Sequence, residues 1–566
     1  MYQSTSPSSP ATDAYLRAGR IISENETAQD MVTRIVTALE TVDARFDPDG
    51  AARFGERLGW ALDTERVVFS TPIMTNAGRF SDRPLAACAV PPVDLRGDLG
   101  RVKTIVDGYH RAGMGTGFRL DGLEDPVGVL RYLNDVAVTG ANSGAEDRPV
   151  GNMAILSLEH PRAAEFIGCK LGADARGEAW KFNISLAVTD AAMRAALGSP
   201  GRERDLLIAA AVAAHACADP GLVFTDRLDE GNPTPEVGAY VSTAPCAEVG
   251  LTAGETCQFG YLNLGRFHTG TGAMPIDVDA LTDTTRTLVR ALDDAVEASL
   301  AYYPSPMSVR VMSAKRKIGV GVCGLADLLL AAGLPYDSVE ARRMTQEVLA
   351  LVNYVSKLAS VELAQSRGGC PAVLGGRSRY SDPAFLRRFA ELEVDSVTRG
   401  DWAALADRIA ATGQLRNSST SAIPPTGRSA PVVHASTGIE PLFRLSDDQL
   451  GHQRAGVVAT LTQVGRTDVL GFVDTNGCLP ADPSLPERLR AVLATATQIS
   501  PAGHLAMAAA VQGCVDEAVS KTVNLPNSAQ SADVYDTYAT AFELGCKGIT
   551  VYVDGSRDVQ PHALAS

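Results

Sequence analysis

Positive charge and aromatic residues are scarce in this 566-residue chain, and long apolar runs are missing altogether. Lys and Arg number 51 against 66 Asp and Glu, a formal net charge of −15, and aromatics make up 6%. That balance speaks against partnership with a nucleic-acid polymer, which is normally met by a basic patch or stripe. A single phosphate group needs only a local site. The most apolar stretch, residues 318–334, is interrupted by Asp327 and by Gly319, Gly321, Gly324 and Gly333. Nothing reaches the roughly 18–20 uninterrupted apolar residues of a membrane span. The opening MYQSTSPSSPATDA has neither positive charge nor an apolar core, so no secretory signal is expected and residues 1–14 read as a disordered leader. The ten cysteines form no CxxC pair, and none stands at zinc-finger spacing from a histidine. The expectation is free thiols in a cytoplasmic protein, without a metal site.

What is present is globular. Hydrophobic residues make up 45% and charged residues 21%, far from disordered composition. The length suits about two to four ordinary domains or one large barrel. Residues 15–65 read as a helical N-terminal region, with Met31, Ile35, Val36 and Leu39 on one face. From residue 66 short apolar runs punctuated by Gly, Pro and Asn alternate with helical stretches. The spacing predicts a helix over 124–138 with Pro126 in its first turn. It predicts a longer one over 337–366, capped by Asp337 with Glu340 three residues on. Segments 222–225, 257–264, 318–322 and 549–553 read as strands. Strands alternating with helices indicate an α/β architecture, with a barrel body over 66–535. A polar helical insertion near 376–413 and a C-terminal segment, 536–566, which completes the barrel and ends in a short tail, accompany it.

Three cysteines stand in unusual company. Cys246 lies in the turn-like Ser242-Thr243-Ala244-Pro245-Cys246-Ala247-Glu248, with a carboxylate two residues on. Cys257 heads a strand-like run, and Cys88 lies in Leu85-Ala86-Ala87-Cys88-Ala89-Val90. Taken singly, each reads as a small buried hydrophobe. The segment Pro425-Thr426-Gly427-Arg428-Ser429 offers hydroxyls and backbone N–H groups suited to an anion, although by itself it reads as a turn.

The text around these residues resembles the large subunit of ribonucleotide reductases, specifically the adenosylcobalamin-dependent class II enzymes. Ser70-Thr71-Pro72-Ile73-Met74-Thr75-Asn76-Ala77-Gly78 before Cys88 is similar to the family's first barrel strand and first redox cysteine. Gly113-Met114-Gly115-Thr116-Gly117-Phe118, Phe182-Asn183-Ile184-Ser185, Asp219-Pro220-Gly221 and Arg316-Lys317-Ile318-Gly319-Val320-Gly321-Val322 follow in family order. So do Thr437-Gly438-Ile439-Glu440-Pro441, Ser520-Lys521-Thr522-Val523-Asn524-Leu525-Pro526, Leu544-Gly545-Cys546-Lys547-Gly548-Ile549-Thr550-Val551-Tyr552 and Gly555-Ser556-Arg557. A class I enzyme needs a tyrosine pair near the C-terminus. Only Tyr552 stands there, and Tyr302-Tyr303 lies elsewhere. Class III would need a glycyl-radical tail. The DxHxxG cobalamin motif is absent, so the cofactor is implied by the resemblance alone.

The resemblance implies a ten-stranded α/β barrel with a finger loop, near 244–257, through its centre. It implies that Cys246 carries a thiyl radical, formed when the cobalt–carbon bond of adenosylcobalamin breaks and the adenosyl radical takes the S–H hydrogen. A weak S–H bond suits reversible hydrogen exchange with a ribose carbon, and the protein's task is positioning and exclusion of water. Glu248 would accept the 3′-hydroxyl proton of the ribonucleotide. Cys88 and Cys257 would give two electrons and a proton at C2′ and end as a disulfide. Thr71, Ala87, Ala244 and the loop Pro425, Thr426, Gly427, Arg428 and Ser429 fall at substrate-contact positions, with Arg428 where many relatives have Thr.

Three departures stand out. The family's finger reads Asn-Pro-Cys-Gly-Glu, so Ala244 replaces an amide that binds substrate hydroxyls, a loss of about 1–3 kcal/mol where a polar group is left unpaired. Ala247 replaces a glycine, which restricts the backbone if that position needs positive φ. No cysteine follows Cys546, so either an external dithiol or thioredoxin-like reductant reaches Cys88 and Cys257 directly, or the reaction does not use the pair catalytically. Residues 1–65 are too few for an ATP-binding activity domain, and on/off control by dATP through one is not expected. Two alternatives to a standard reductase stay open: a diverged radical paralogue acting on an unusual nucleotide, and an idle nucleotide-binding paralogue. Either a monomer or a homodimer is compatible with the sequence.

Overall fold

A computed structural model describes residues 3–4, 9–142, 150–173, 177–270, 275–448, 450–451 and 454–556. Arg557 and the tail after it, like residues 1–2 and 5–8 of the leader, lie outside the described residues. Twelve strands are present among those described. They are β1 (Val67–Phe69), β2 (Cys88–Ala89), β3 (Gly115–Arg119), β4 (Asn152–Ser157), β5 (Phe182–Val188), β6 (Gly221–Phe224), β7 (Ser242–Thr243), β8 (Gly250–Leu251), β9 (Thr256–Asn263), β10 (Ile318–Cys323), β11 (Thr522–Leu525) and β12 (Gly548–Val553).

Ten of them make one sheet in the order β1-β9-β2-β3-β4-β5-β6-β12-β11, with β10 on the other edge of β9. The run from β2 to β6 is parallel, as alternating strand and helix demands. The ends of the sheet are joined through residues 419–423. Ile318 and Val320 of β10 donate to the carbonyls of Ser419 and Thr420 at 3.1 and 2.7 Å. On the far side, Ile423 and Ala518 share a bond at 3.2 Å and Ser520 returns one to Ile423 at 2.8 Å, just ahead of β11. The sheet is a closed ten-stranded α/β barrel.

Strands β7 and β8 are not part of that wall. They pair antiparallel as a short hairpin, and the hairpin is the finger. It touches staves from around the ring: Ser242 Oγ donates to the Phe118 carbonyl at 3.2 Å, and Asn183 Nδ2 to the Pro245 carbonyl at 2.9 Å. Across the barrel, the Ala518 N–H donates to the Glu248 carbonyl at 3.0 Å. Glycines in β3 make the room. A Cβ on Gly117 would lie 2.1 Å from the Thr243 carbonyl oxygen, and one on Gly115 would lie 2.8 Å from the Pro245 ring.

Outside the barrel, the helices Ala28–Asp43 and Ala51–Asp63 pack on the helix Val278–Ser299. Buried Asp43 binds Arg290 through both oxygens at 2.6 Å and also binds Arg367. Asp293 in turn gathers Arg316, Arg367 and Arg416, which fixes the N-terminal region to the barrel.

Several sequence expectations shift in detail. Residues 10–14, expected to be disordered, begin the helix Pro10–Ala18, whose Asp13 accepts from the Ala28 N–H at 2.8 Å and whose Leu16 is fully buried. The helix expected over 124–138 runs Pro126–Asn142. The long helix is Val339–Arg367, and Ser338 rather than Asp337 caps it by accepting from the Ala341 N–H at 3.0 Å. Within 376–413 only Ala384–Arg387 and Arg399–Thr412 are α-helical, seated by Trp402 against Tyr354 and Phe389. Among the described residues no helix is long and apolar enough to cross a membrane.

The close approach of the finger to β3 gives a test. Gly117→Ala should destabilise the fold by about 1–3 kcal/mol, the usual range for overpacking. It should lower the urea midpoint, whereas Gly427→Ala, whose methyl would meet nothing within 4 Å, should leave it unchanged.

Candidate active site

The finger tip closes through its own backbone. The Ala244 N–H donates to the Val249 carbonyl at 3.0 Å, and the Ala247 N–H donates to the Ala244 carbonyl at 2.9 Å. Ala247 takes φ +61°, the left-handed conformation in which an L side chain is strained. The turn aims Cys246 into a cavity of about 360 Å³. It also brings Glu248 back beneath that residue, so that the Cys246 N–H donates to Glu248 Oε2 at 3.2 Å.

Burial sets the protonation states here. It raises the Cys246 thiol far above its ordinary value, and the neighbouring Glu248 charge adds to the effect. Burial also lifts Glu248 to about 7, against the pull of the Glu248 and Cys246 N–H groups. Cys246 is therefore a thiol, the form that carries a transferable hydrogen atom, and Glu248 is poised to take up or give a proton near neutrality.

Cys88 and Cys257 are direct cross-strand partners in the antiparallel β2–β9 pair. Facing residues in such a ladder have Cα atoms about 4.5–5.5 Å apart, inside the range a disulfide spans. Both are buried and reduced. Burial pushes the Cys257 thiol well up, although the Lys317 ammonium opposes that shift. Ala87, next in line, uses its N–H on the Cys257 carbonyl at 2.9 Å and its carbonyl on the Gly115 N–H at 3.0 Å. Buried Thr71 opens the short helix Thr71–Asn76 directly after β1.

The loop 425–429 turns on Thr426. Its carbonyl accepts from the Ser429 and Ala430 N–H groups at 2.9 and 2.8 Å, and its hydroxyl accepts from Gly438 N–H at 2.7 Å. Pro425, Gly427 and Arg428 are exposed while Thr426 and Ser429 are buried. The Arg428 carbonyl takes the Tyr15 hydroxyl at 3.2 Å, so the N-terminal helix rests on this loop. Cys246, Pro425 and Gly427 line the same cavity. Cys88, Cys257, Glu248, Ala87, Thr71, Thr426, Arg428 and Ser429 are not among its lining residues.

Sequence reasoning passed over the residues that hold the finger. Asn183 was part of a recognised motif without a role, and its amide fixes the Pro245 carbonyl. Lys317, Glu517, Glu255, Lys315 and Tyr240 form a buried charged cluster at the finger's root. The one signal is Lys315-Arg316-Lys317, three charges set directly against the apolar β10.

A closed ten-stranded barrel around a cysteine-tipped finger, with a facing cysteine pair in its wall, defines a radical-enzyme barrel. The family described as "Ribonucleotide reductase, barrel domain" matches residues 120–199 and 201–552. A vitamin B12-dependent ribonucleoside-diphosphate reductase of Mycobacterium tuberculosis is 32% identical, over 94% of this chain and 77% of its own length. One of Thermoplasma acidophilum is 32% identical over 90% of this chain and 66% of its own. The class Id ribonucleotide reductase alpha subunit of Actinobacillus ureae shares the fold, with a TM-score of 0.78 over 98% of this chain and 99% of that one at 17% identity. The chain therefore belongs to the ribonucleotide reductase family, with the vitamin B12-dependent class II enzymes or their close homologues.

The strained turn supplies a second test. Ala247→Gly should stabilise the protein by up to about 1 kcal/mol by relieving the positive φ, seen as a higher urea midpoint.

Proposed function

We propose that this protein reduces ribonucleotides to 2′-deoxyribonucleotides by radical chemistry on Cys246. The observation that carries the reading is the finger tip, which sets a protonated Cys246 at a cavity with Glu248 directly beneath it. The facing pair Cys88 and Cys257 supports it from the adjoining wall. Adenosylcobalamin, which the resemblance implies and which agrees with the vitamin B12 dependence named for the relatives, would supply when bound the radical equivalent that removes the Cys246 hydrogen. The lining would fit the mixed surface of its adenosyl part: Ile439, Phe443 and Val551 offer apolar surface, and Asn524, Thr550 and Asp554 offer polar groups.

The chain's own residues carry the remaining steps. The Cys246 sulfur takes a hydrogen atom from the ribose and returns it at the end. The Glu248 carboxylate accepts the 3′-hydroxyl proton. Cys88 and Cys257 supply two electrons and their two thiol protons, one leaving with the 2′-hydroxyl as water and one ending as the new hydrogen on C2′, and they become a disulfide, which an external dithiol or thioredoxin-like protein reduces. The relatives at 32% identity are named as ribonucleoside-diphosphate reductases, and ribonucleoside diphosphates are the substrates proposed here. Thr71 and the loop 425–429 would hold the phosphates.

Ala244 favours a second reading. It is fully buried, both its backbone groups close the hairpin, and its methyl gives a substrate hydroxyl nothing to bond. A radical paralogue acting on a nucleotide with different hydroxyl chemistry would need no amide there.

Anaerobic incubation with adenosylcobalamin, a dithiol and the ribonucleotides at each phosphorylation level, followed by mass spectrometry of the nucleotides, separates the two. The reductase reading expects deoxynucleotide from diphosphates and none from Cys246→Ala. Substrate-independent radical formation without deoxynucleotide would favour the paralogue. Because Glu248 must be ionised to act as a base and its pKa lies near 7, kcat/KM should rise as pH increases through about 7. Glu248→Gln should remove that limb and lower turnover by about 10²–10⁴-fold, the usual worth of a positioned acid–base group.

A further inference from the structure

Lys317 immediately precedes β10 and is completely buried, a costly place for an ammonium unless every donor is met. Its Nζ donates to the Gly250 carbonyl at 2.7 Å and to the Tyr240 hydroxyl at 3.0 Å. It also pairs with Glu517 at 3.0 Å and Glu255 at 3.4 Å. Glu517 takes the other polar group of the same residue, accepting the Gly250 N–H at 3.3 Å, and it accepts the Tyr240 hydroxyl as well. Lys317 and Glu517 thus clamp both backbone groups of Gly250, where the finger's return strand leaves the tip. A side chain could not share that space, since a Cβ on Gly250 would lie 2.3 Å from the Tyr240 ring.

The clamp extends in two directions. Next to Glu517, the Ala518 N–H donates to the Glu248 carbonyl at 3.0 Å. Glu255, which Lys315 also binds at 2.8 Å, accepts from the Thr252 N–H at 2.8 Å and immediately precedes β9, the strand of Cys257.

Building on the reductase reading above, we propose that Lys317 is a positioning residue. With Glu517 it fixes the depth at which the finger carries Cys246 and Glu248 inside the barrel. With Glu255 it ties that depth to the strand bearing Cys257, so the radical sulfur and the reducing pair keep one spacing.

Hydrogen exchange followed by mass spectrometry on the full chain, without cofactor or nucleotide, reads the finger directly. In Lys317→Met, amides of residues 240–252 should exchange at least about tenfold faster while β4 and β5 keep wild-type rates, a local opening rather than a global one. In turnover assays kcat should fall at least about tenfold with KM within about twofold, since positioning acts on the chemical step. Adding Glu517→Gln should recover part of both losses, because the double variant no longer leaves that carboxylate facing a missing partner. If Lys317→Met does not fold, the isosteric Glu517→Gln alone carries the same expectation of finger-only acceleration. Unchanged finger exchange, or equal acceleration of finger and barrel, overturns the proposal. A wild-type protein that makes no deoxynucleotide would instead overturn the reductase reading, and the exchange result would stand apart from it.

Discussion

The site depends on keeping a polar hairpin inside a barrel. A hairpin of two-residue strands cannot satisfy its own backbone, so the barrel around it must supply partners. The solution is a buried, charge-balanced cluster of two lysines and two glutamates, Lys315, Lys317, Glu255 and Glu517, with Tyr240 bridging. Burial works against the charges on Lys315, Lys317 and Glu255, and it lowers Lys315 to about 8 despite its pairing with Glu255. Glu255 and Glu517 nevertheless hold Lys317 above its ordinary value, and Lys315 and Lys317 hold Glu255 below its own. Removing one member of such a set typically costs about 3–5 kcal/mol, because its partner is left buried and alone. Asn183 on β5 and Ala518 in the segment ahead of β11 complete the seat.

From that seat follows the chemistry of the tip. Desolvation at the tip raises the Cys246 thiol further above its ordinary value and lifts Glu248 to about 7. A nucleophilic cysteine would need the opposite, a polar or cationic setting that favours thiolate. Hydrogen-atom exchange needs the S–H bond intact. The strained Ala247 and the tightly bonded Ala244 show that the turn is kept even where its residues are not the easiest choice for it.

Four strands of the barrel, β6, β9, β10 and β12, announced themselves as apolar runs, while β3, β5 and β11 entered only within motifs of the resemblance and β4 not at all. The short strands β1, β2, β7 and β8 did not announce themselves, since two or three residues carry no periodicity and are defined by distant partners. The facing of Cys88 and Cys257 belongs to that class, and the family resemblance placed them together where spacing could not. The consequence of Ala247 was readable, because only backbone geometry was at issue. Lys317 and Glu517 were not, as a charged residue reads as solvent-facing until a buried partner is seen. At the long helix, Asp337 and Ser338 were both competent caps, and one residue of register separated them.

The central claim is that Cys246 works at the tip of this finger while Cys88 and Cys257 supply the electrons. Its most direct test is a single anaerobic turnover of pre-reduced protein without external dithiol, followed by alkylation and peptide mass mapping of all ten cysteines. The account predicts one deoxynucleotide per chain and one new disulfide, between Cys88 and Cys257, with the remaining cysteines still reduced. Deoxynucleotide formed while Cys88 and Cys257 both remain thiols would contradict it.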